Sequence, residues 1–175
     1  MESYHIKQLE PLAKKGWSIA YSSTPSEIPH EVRNRYPWIH NSIWHLISRV
    51  ETAMDPDEHC CLLTWKNFSP TPEVHYPWNI WEQETLKTAA KSSDEEWRSE
   101  IIAFWDEHFP IMFTVQPFGY GYAAIRKSDG AVVAGWAPDF ETPFGVIAES
   151  FDDLLGLLPE MDPGRNIDSL LPDDD

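Results

Sequence analysis

Cysteine is scarce in this chain, with two among 175 residues, adjacent at Cys60 and Cys61. Neighbours in one strand project to opposite faces, so a disulfide between them is geometrically disfavoured, and a disulfide-stapled secreted scaffold is excluded. Long apolar runs are missing too. No stretch approaches the ~20 consecutive apolar residues of a membrane-spanning helix, and MESYHIKQLEPLAKKGW, at the N-terminus, lacks the apolar core of a secretory leader. The expectation is a reduced, cytoplasmic protein. Positive charge is the third shortage. Lys and Arg number 13 against 29 Asp and Glu, a formal net charge of −16. The imbalance is uneven: residues 1–50 hold six basic against four acidic side chains, and the remainder hold seven against twenty-five. Nucleic-acid affinity rests on phosphate neutralisation, so such a field argues against a nucleic-acid partner and, equally, against an anionic membrane surface. It favours a basic protein partner, drawn in by long-range attraction. Acidity that serves only solubility is the alternative.

Catalytic signatures are absent as well. The chain has no HExxH, no CxxC and no GxSxG, the spacings that would place zinc ligands or a nucleophilic serine. His40 and His45 are five apart, which puts them on different sides of a helix. His59, Cys60 and Cys61 resemble a zinc cluster only superficially, because consecutive strand residues cannot all face one ion; cysteines packed as small apolar side chains are expected instead. A cysteine-dependent enzyme pairing Cys60 or Cys61 with His75 or His108 stays open, although no neighbouring residue type activates either thiol. Of the close acidic pairs, Asp152 and Asp153 are explained by a helix start, whereas Asp139 and Glu141 lie in APDFETPFG, a loop between strands, and are free to meet a partner. The glycines of GYGYAAIR, Gly119 and Gly121, precede a strand rather than a helix N-terminus. A phosphate loop needs that helix, so a bend or close strand contact is expected. No metal, no cofactor and no catalytic residue is assigned.

What is abundant is aromatic and apolar surface. Aromatics make up 13% of the chain, with nine tryptophans, and apolar residues 42%, ample to offset the ordering entropy of one domain. Residues 1–160 read as that domain and 161–175 as an acidic polar tail. HIKQLEPLAKK predicts a short helix interrupted at Pro11, and GWSIAYS a strand. Ile39, Ile43, Ile47, Val50 and Met54 recur at helical spacing after Pro37, predicting one helix that ends at MDPD. HCCLLTW reads as a strand and NFSPTPEVHYPW as an irregular loop. Ser93 with Glu96 predicts a capping box opening a helix through His108, stopped by Pro110. IMFTVQ, YGYAAIR, AVVAGW and PFGVIAE predict four strands, the middle two joined at Asp129-Gly130, a hairpin signal. Ser150 and Asp153 open a last short helix over ESFDDLLGLLPE. The fold class expected is α+β: a single domain with an antiparallel meander in the C-terminal half packed with helices.

That closing order, YAAIRKSDGAVVAGW followed by FGVIAESFDDLLGLL, resembles the SUKH superfamily of Smi/Knr-like domains. Ile147, Ala148, Ser150, Phe151, Asp152, Asp153 and Leu154 fit its strand-to-helix segment. EIPHEV, Glu27 to Val32, is similar to its usual helix start, and WDEHFPIMF to its entry into the sheet. The match covers about the last third of the chain; the first half agrees in outline only, with ETAMDPDEHCC where a short Gly-rich segment is usual. The resemblance implies a cytoplasmic binding domain rather than an enzyme: an immunity protein that neutralises a cognate toxin, often a basic nuclease, by stoichiometric occlusion. Regulatory scaffolding without a toxin is the other role found among such domains. Contacts expected with a basic partner are Asp129, Asp139 and Glu141 at strand ends and the aromatics Trp78, Trp81 and Trp136.

Overall fold

A computed structural model describes residues 4–69, 76–116, 119–161 and 166–171. Its frame is a seven-stranded antiparallel sheet whose spatial order follows the chain: β1 (Ser18–Tyr21), β2 (Val50–Met54), β3 (Cys60–Leu62), β4 (His108–Gln116), β5 (Gly119–Arg126), β6 (Val132–Trp136) and β7 (Gly145–Ala148). The helices are α1 (Tyr4–Gln8), α2 (Glu10–Lys14), α3 (His30–Arg35), α4 (Asn41–Arg49), α5 (Trp65–Phe68), α6 (Ile80–Ser92), α7 (Glu95–Glu107) and α8 (Phe151–Leu157). The α+β expectation holds, and the meander expected in the C-terminal half is present as β4–β7 and continues through β1–β3. No helix among the described residues is long and apolar enough to cross a membrane.

The C-terminal strands form where their alternation of small and β-branched residues places them. Gly130, at φ 77°, supplies the positive φ that closes the β5–β6 hairpin, and Asp129 Oδ1 accepts from the Ala131 amide at 3.1 Å inside the turn. Gly121 answers to a close approach. A Cβ there would sit 2.7 Å from Thr114 Oγ1 and 2.8 Å from the Gly135 carbonyl, so β4 and β6 leave room only for hydrogen. The GxG is strand packing. In α8, the Ser150 hydroxyl accepts from the Asp153 amide at 3.1 Å as the sequence predicts.

Four elements differ from expectation. The helix predicted from Pro37 to Met54 ends at Arg49, and Val50–Met54 is strand β2. Val50 sits three residues beyond Ile47, so it continues the helical spacing of apolar positions while its own burial comes from the sheet. Pro37 lies in the turn before α4, whose N-cap is His40, its Nδ1 accepting from the Ser42 amide at 3.2 Å. Helix α6 has no counterpart in the sequence reading, because polar Glu82 and Thr85 stand among its buried positions and blur the apolar stripe. Ser93 is not the N-cap of α7: it ends α6 in the left-handed region at φ 55°, and Asp94 caps α7 by accepting from the Trp97 amide at 2.9 Å. Pro110 does not stop that helix; the chain leaves α7 at Glu107 and runs into β4, where Pro110 borders a register shift.

The residues read as tail contribute to the body where they are described. Asn166–Leu170 forms a 3-10 turn, and Ile167 is wholly buried in the core. The loop expected over NFSPTPEVHYPW is described only in part: Trp65–Phe68 is α5, and residues 70–75, which include His75, lie outside the described residues.

Two aromatic clusters fill the interior around α3, α6 and α7. In the first, Phe109 meets Tyr36, Trp44 and Phe68 at ring centroid distances of 4.9, 5.0 and 5.7 Å. In the second, Tyr122 meets Trp105 at 5.0 Å and Trp81 stacks on Phe140 at 4.9 Å. The phenols hold carbonyls: Tyr36 donates to the Trp105 oxygen at 2.9 Å, Tyr122 to that of Phe140 at 2.5 Å. Burial raises both phenols far above their ordinary pKa, so each remains a donor.

Candidate partner-binding surface

The six residues singled out from the sequence divide by environment. Asp139 is exposed and forms no ion pair among the described residues. Asp129 is exposed but committed to Arg126, which donates Nε–H to Oδ1 at 3.0 Å and Nη2–H to Oδ2 at 2.6 Å. That guanidinium, helped by the Ala131 amide, lowers the Asp129 carboxyl to about 2. Its charge is largely neutralised locally, which weakens it as a partner contact. Glu141 turns inward. Its Oε1 accepts from the Thr85 hydroxyl at 2.9 Å and the Trp105 indole at 3.0 Å, fastening the β6–β7 loop to α6 and α7. Burial raises its carboxyl above the usual range, against the two hydrogen bonds, which act to lower it.

The tryptophans likewise separate. Trp81, expected at the surface, is 6% exposed, stacked on Phe140 and on Tyr120 at 5.4 Å, with Phe113 edge-on at 5.5 Å. A flat ring between two others gains more from those contacts than from water. Trp78 is half-buried, stacked on Phe68 at 5.9 Å, with the Arg35 guanidinium 5.6 Å from its ring centre. Trp136 is half-buried against Phe144 at 3.8 Å. Of the six, Asp139 alone offers a side chain unoccupied by the fold.

Arg35 organises this side of the molecule. Its guanidinium is bidentate on Glu82, with two 2.7 Å bonds, and donates Nε–H to Asp106 at 2.8 Å, tying α3 to α6 and α7. Burial alone would lower its pKa, but hydrogen bonding to Glu82 and Asp106 raises it overall, so the charge is permanent.

The thiols are held protonated. Cys60 is buried beside Met112, its Sγ donating to Met112 Sδ at 3.3 Å, and burial pushes its pKa well up. Cys61 is half-buried, and burial raises it to about 11. His108 is stacked on Phe104 at 4.0 Å, donates Nδ1–H to the Phe104 carbonyl at 2.8 Å, and burial lowers its pKa. Between β2 and β3, Asp55, Asp57 and His59 present ligand-type atoms within 4.8 Å of one another. Asp55 Oδ1 is already engaged there, accepting from the His59 and Cys60 amides at 2.7 and 2.8 Å. This is the geometry of a turn held by an acidic side chain. Elsewhere, buried His5 pairs with Asp152 at 2.5 Å, joining α1 to α8.

Sequence reasoning missed one feature. A largely apolar cavity of about 110 Å³ opens beside β3, β4 and β5; its lining includes Cys61, Tyr76, Trp81, Phe113, Val115 and Tyr120, together with Glu58 and His59. Tyr76, Val115 and Tyr120 are 48%, 44% and 45% exposed, three of the five large apolar side chains so exposed among the described residues. Val115 and Tyr120 face each other across β4 and β5. Their apolar character in a strand was legible; their convergence with Tyr76, from beyond α5, was not.

No family profile, curated protein or solved structure matches this chain.

Proposed function

We propose that this chain is an immunity protein: a cytoplasmic, non-catalytic binding domain that neutralises a cognate basic toxin, of nuclease type, by covering its charged surface in a stoichiometric complex. The observation that carries the reading is uncompensated acidity. Asp57, Glu58, Asp139 and Glu149 are exposed and form no ion pair among the described residues, within a chain whose net charge is −16. Folding consumes some acidic groups, such as Asp129 and Glu141, and leaves these to project an external field. Such a field accelerates encounter with a basic surface and suppresses wrong partners. A nuclease must be basic where it holds phosphates, which makes its cleft the natural target.

Two further observations support the reading. The resemblance of residues 122–136 and 144–158 to SUKH domains implies the same role, and those residues form a β-hairpin, a further strand and a serine-capped helix. Both thiols sit above the range in which a thiolate nucleophile exists at neutral pH, which argues against cysteine catalysis. The test is co-expression with the product of the gene directly upstream. The expected result is a 1:1 complex, rescue of growth and loss of the toxin's nuclease activity. A neighbouring product that is harmless and unbound overturns the toxin reading in favour of regulatory scaffolding.

A further inference from the structure

The apolar cavity between β3, β4, β5 and Trp81 has no role in the fold that its rim explains. Tyr76, Val115 and Tyr120 remain about half exposed around it, although tyrosine at the edge of an apolar hollow is characteristic of a binding hot spot. Size decides what could enter. Drug-sized ligands occupy roughly 300–1,000 Å³, and an apolar cavity of about 150 Å³ accommodates a benzene ring. At about 110 Å³, and open between half-exposed Tyr76, Val115 and Tyr120, this hollow takes one side chain seated in part. Charge decides what would surround that side chain. Glu58 and exposed His59 line it, with Asp57 beside them in the β2–β3 turn; neither carboxylate forms an ion pair among the described residues. An isolated apolar ligand would gain nothing from those carboxylates, whereas a basic protein surface would neutralise them.

We infer that this cavity is the anchor pocket for the basic protein partner, receiving one aromatic or branched apolar side chain flanked by Lys or Arg that meet Asp57 and Glu58. The inference rests on the binding reading above and adds where and how the partner is held. Encounter is steered by the acidic field, and the complex is then retained by burial of the anchor against Trp81, Phe113 and Tyr120. The division of labour is physical: exposed charges act mainly on association, and a buried apolar anchor acts on dissociation.

Three peptides serve as probes: KKGFGKK, KKGAGKK and EEGFGEE, titrated into the ¹⁵N-labelled full chain. The first is expected to bind about tenfold or more tightly than the second, from burial of the ring, and more tightly than the third. Amide shifts should centre on Val115 and Tyr120. Tyr76→Ser and Val115→Gln, both at half-exposed positions where folding is little affected, should weaken the phenylalanine peptide to the level of the alanine peptide, with unchanged thermal unfolding as the control. Equal binding of the phenylalanine and alanine peptides overturns the pocket while leaving a basic partner intact. Equal binding of the acidic peptide overturns the charge component, and absence of binding overturns the proposal. A dimer in sedimentation that is broken by Tyr76→Ser also overturns it, since a second copy then fills the site. A seated phenylalanine peptide together with a failed toxin co-expression would sink the toxin reading alone.

Discussion

Glu141 looks from the sequence like a loop carboxylate available to a partner, and the fold uses it as an internal acceptor. Two donors, the Thr85 hydroxyl and the Trp105 indole, reach one oxygen, and the indole depends on it. Removing it with Glu141→Ala leaves the Trp105 indole unpaired in a half-buried setting, while the Thr85 hydroxyl still reaches the Trp81 carbonyl at 2.9 Å, and should cost about 1–3 kcal/mol, read by urea unfolding. Glu141→Gln keeps the acceptor. Because burial raises the native carboxyl above its ordinary 4.5, the folded state holds this proton more tightly than the unfolded state. The associated stabilisation is present below the ordinary value and is lost as pH rises through the raised one. Glu141→Gln should therefore flatten stability against pH over that window and match or exceed the parent at neutral pH. Equal losses for Ala and Gln would show that the acceptor role is wrong. Asp129 titrates in the opposite sense. Its contribution is present above the ordinary carboxylate value and is lost as pH falls toward about 2, so an NMR titration should place its midpoint near there. The cysteines give the third residue-scale expectation. At pH 8 a thiol of pKa about 11 is overwhelmingly protonated, so both should resist a thiol reagent in the native protein and react promptly on unfolding; rapid native labelling of Cys61 would revive cysteine chemistry.

At the scale of elements, one arginine with two ion pairs holds three helices. Glu82 is nearly buried, and Arg35 meets it with two parallel bonds while also reaching Asp106. Arg35→Ala would strand Glu82 without a counter-charge and should cost about 3 kcal/mol by calorimetry or denaturant. Arg35→Lys should recover little, because a single ammonium cannot reproduce the fork. A loss within experimental error for Arg35→Ala would mean that α3 is held by its apolar contacts alone. Neither partner could be paired from the sequence: 47 residues separate them, and Glu82 lies on a helix whose buried face is partly polar. The same polarity hid α6 itself. The C-terminal strands and α8 were legible because alternation, a Gly-closed hairpin and a serine cap are local signals that the tertiary structure does not override. The α4–β2 junction was not, since Ile43, Leu46, Ile47 and Val50 satisfy helical spacing while the last of them belongs to the sheet. Ser93 and Asp94 show a similar ambiguity. Either residue type can cap α7, and only the preceding helix, which needs Ser93 to terminate it, assigns them.

At the scale of the whole molecule, composition carried the charge argument without help from coordinates, because net charge is a sum and does not depend on where the chain goes. Geometry is needed to learn which charges stay available. Arg126 occupies Asp129 and the interior claims Glu141, while Asp57, Glu58 and Asp139 keep their fields. The pocket was invisible for the converse reason: Cys61, Tyr76, Trp81, Val115 and Tyr120 come from separate segments, and only the meander brings them to one place. These distinctions set the kinetic expectation. Reversing Asp139 or Glu58 to Lys should slow association with a basic partner, flatten the dependence of the rate on ionic strength and change dissociation little, since interactions between exposed charges fade beyond about 8 Å at physiological salt. Glu141→Lys is unsuitable for the same measurement, because it would strip the acceptor from Trp105 and mix folding with binding. Stopped-flow association at two salt concentrations decides the matter. Rates unchanged by both reversals, in proteins of parental stability, would mean that the acidic surface does not steer the partner and that its charge serves solubility alone.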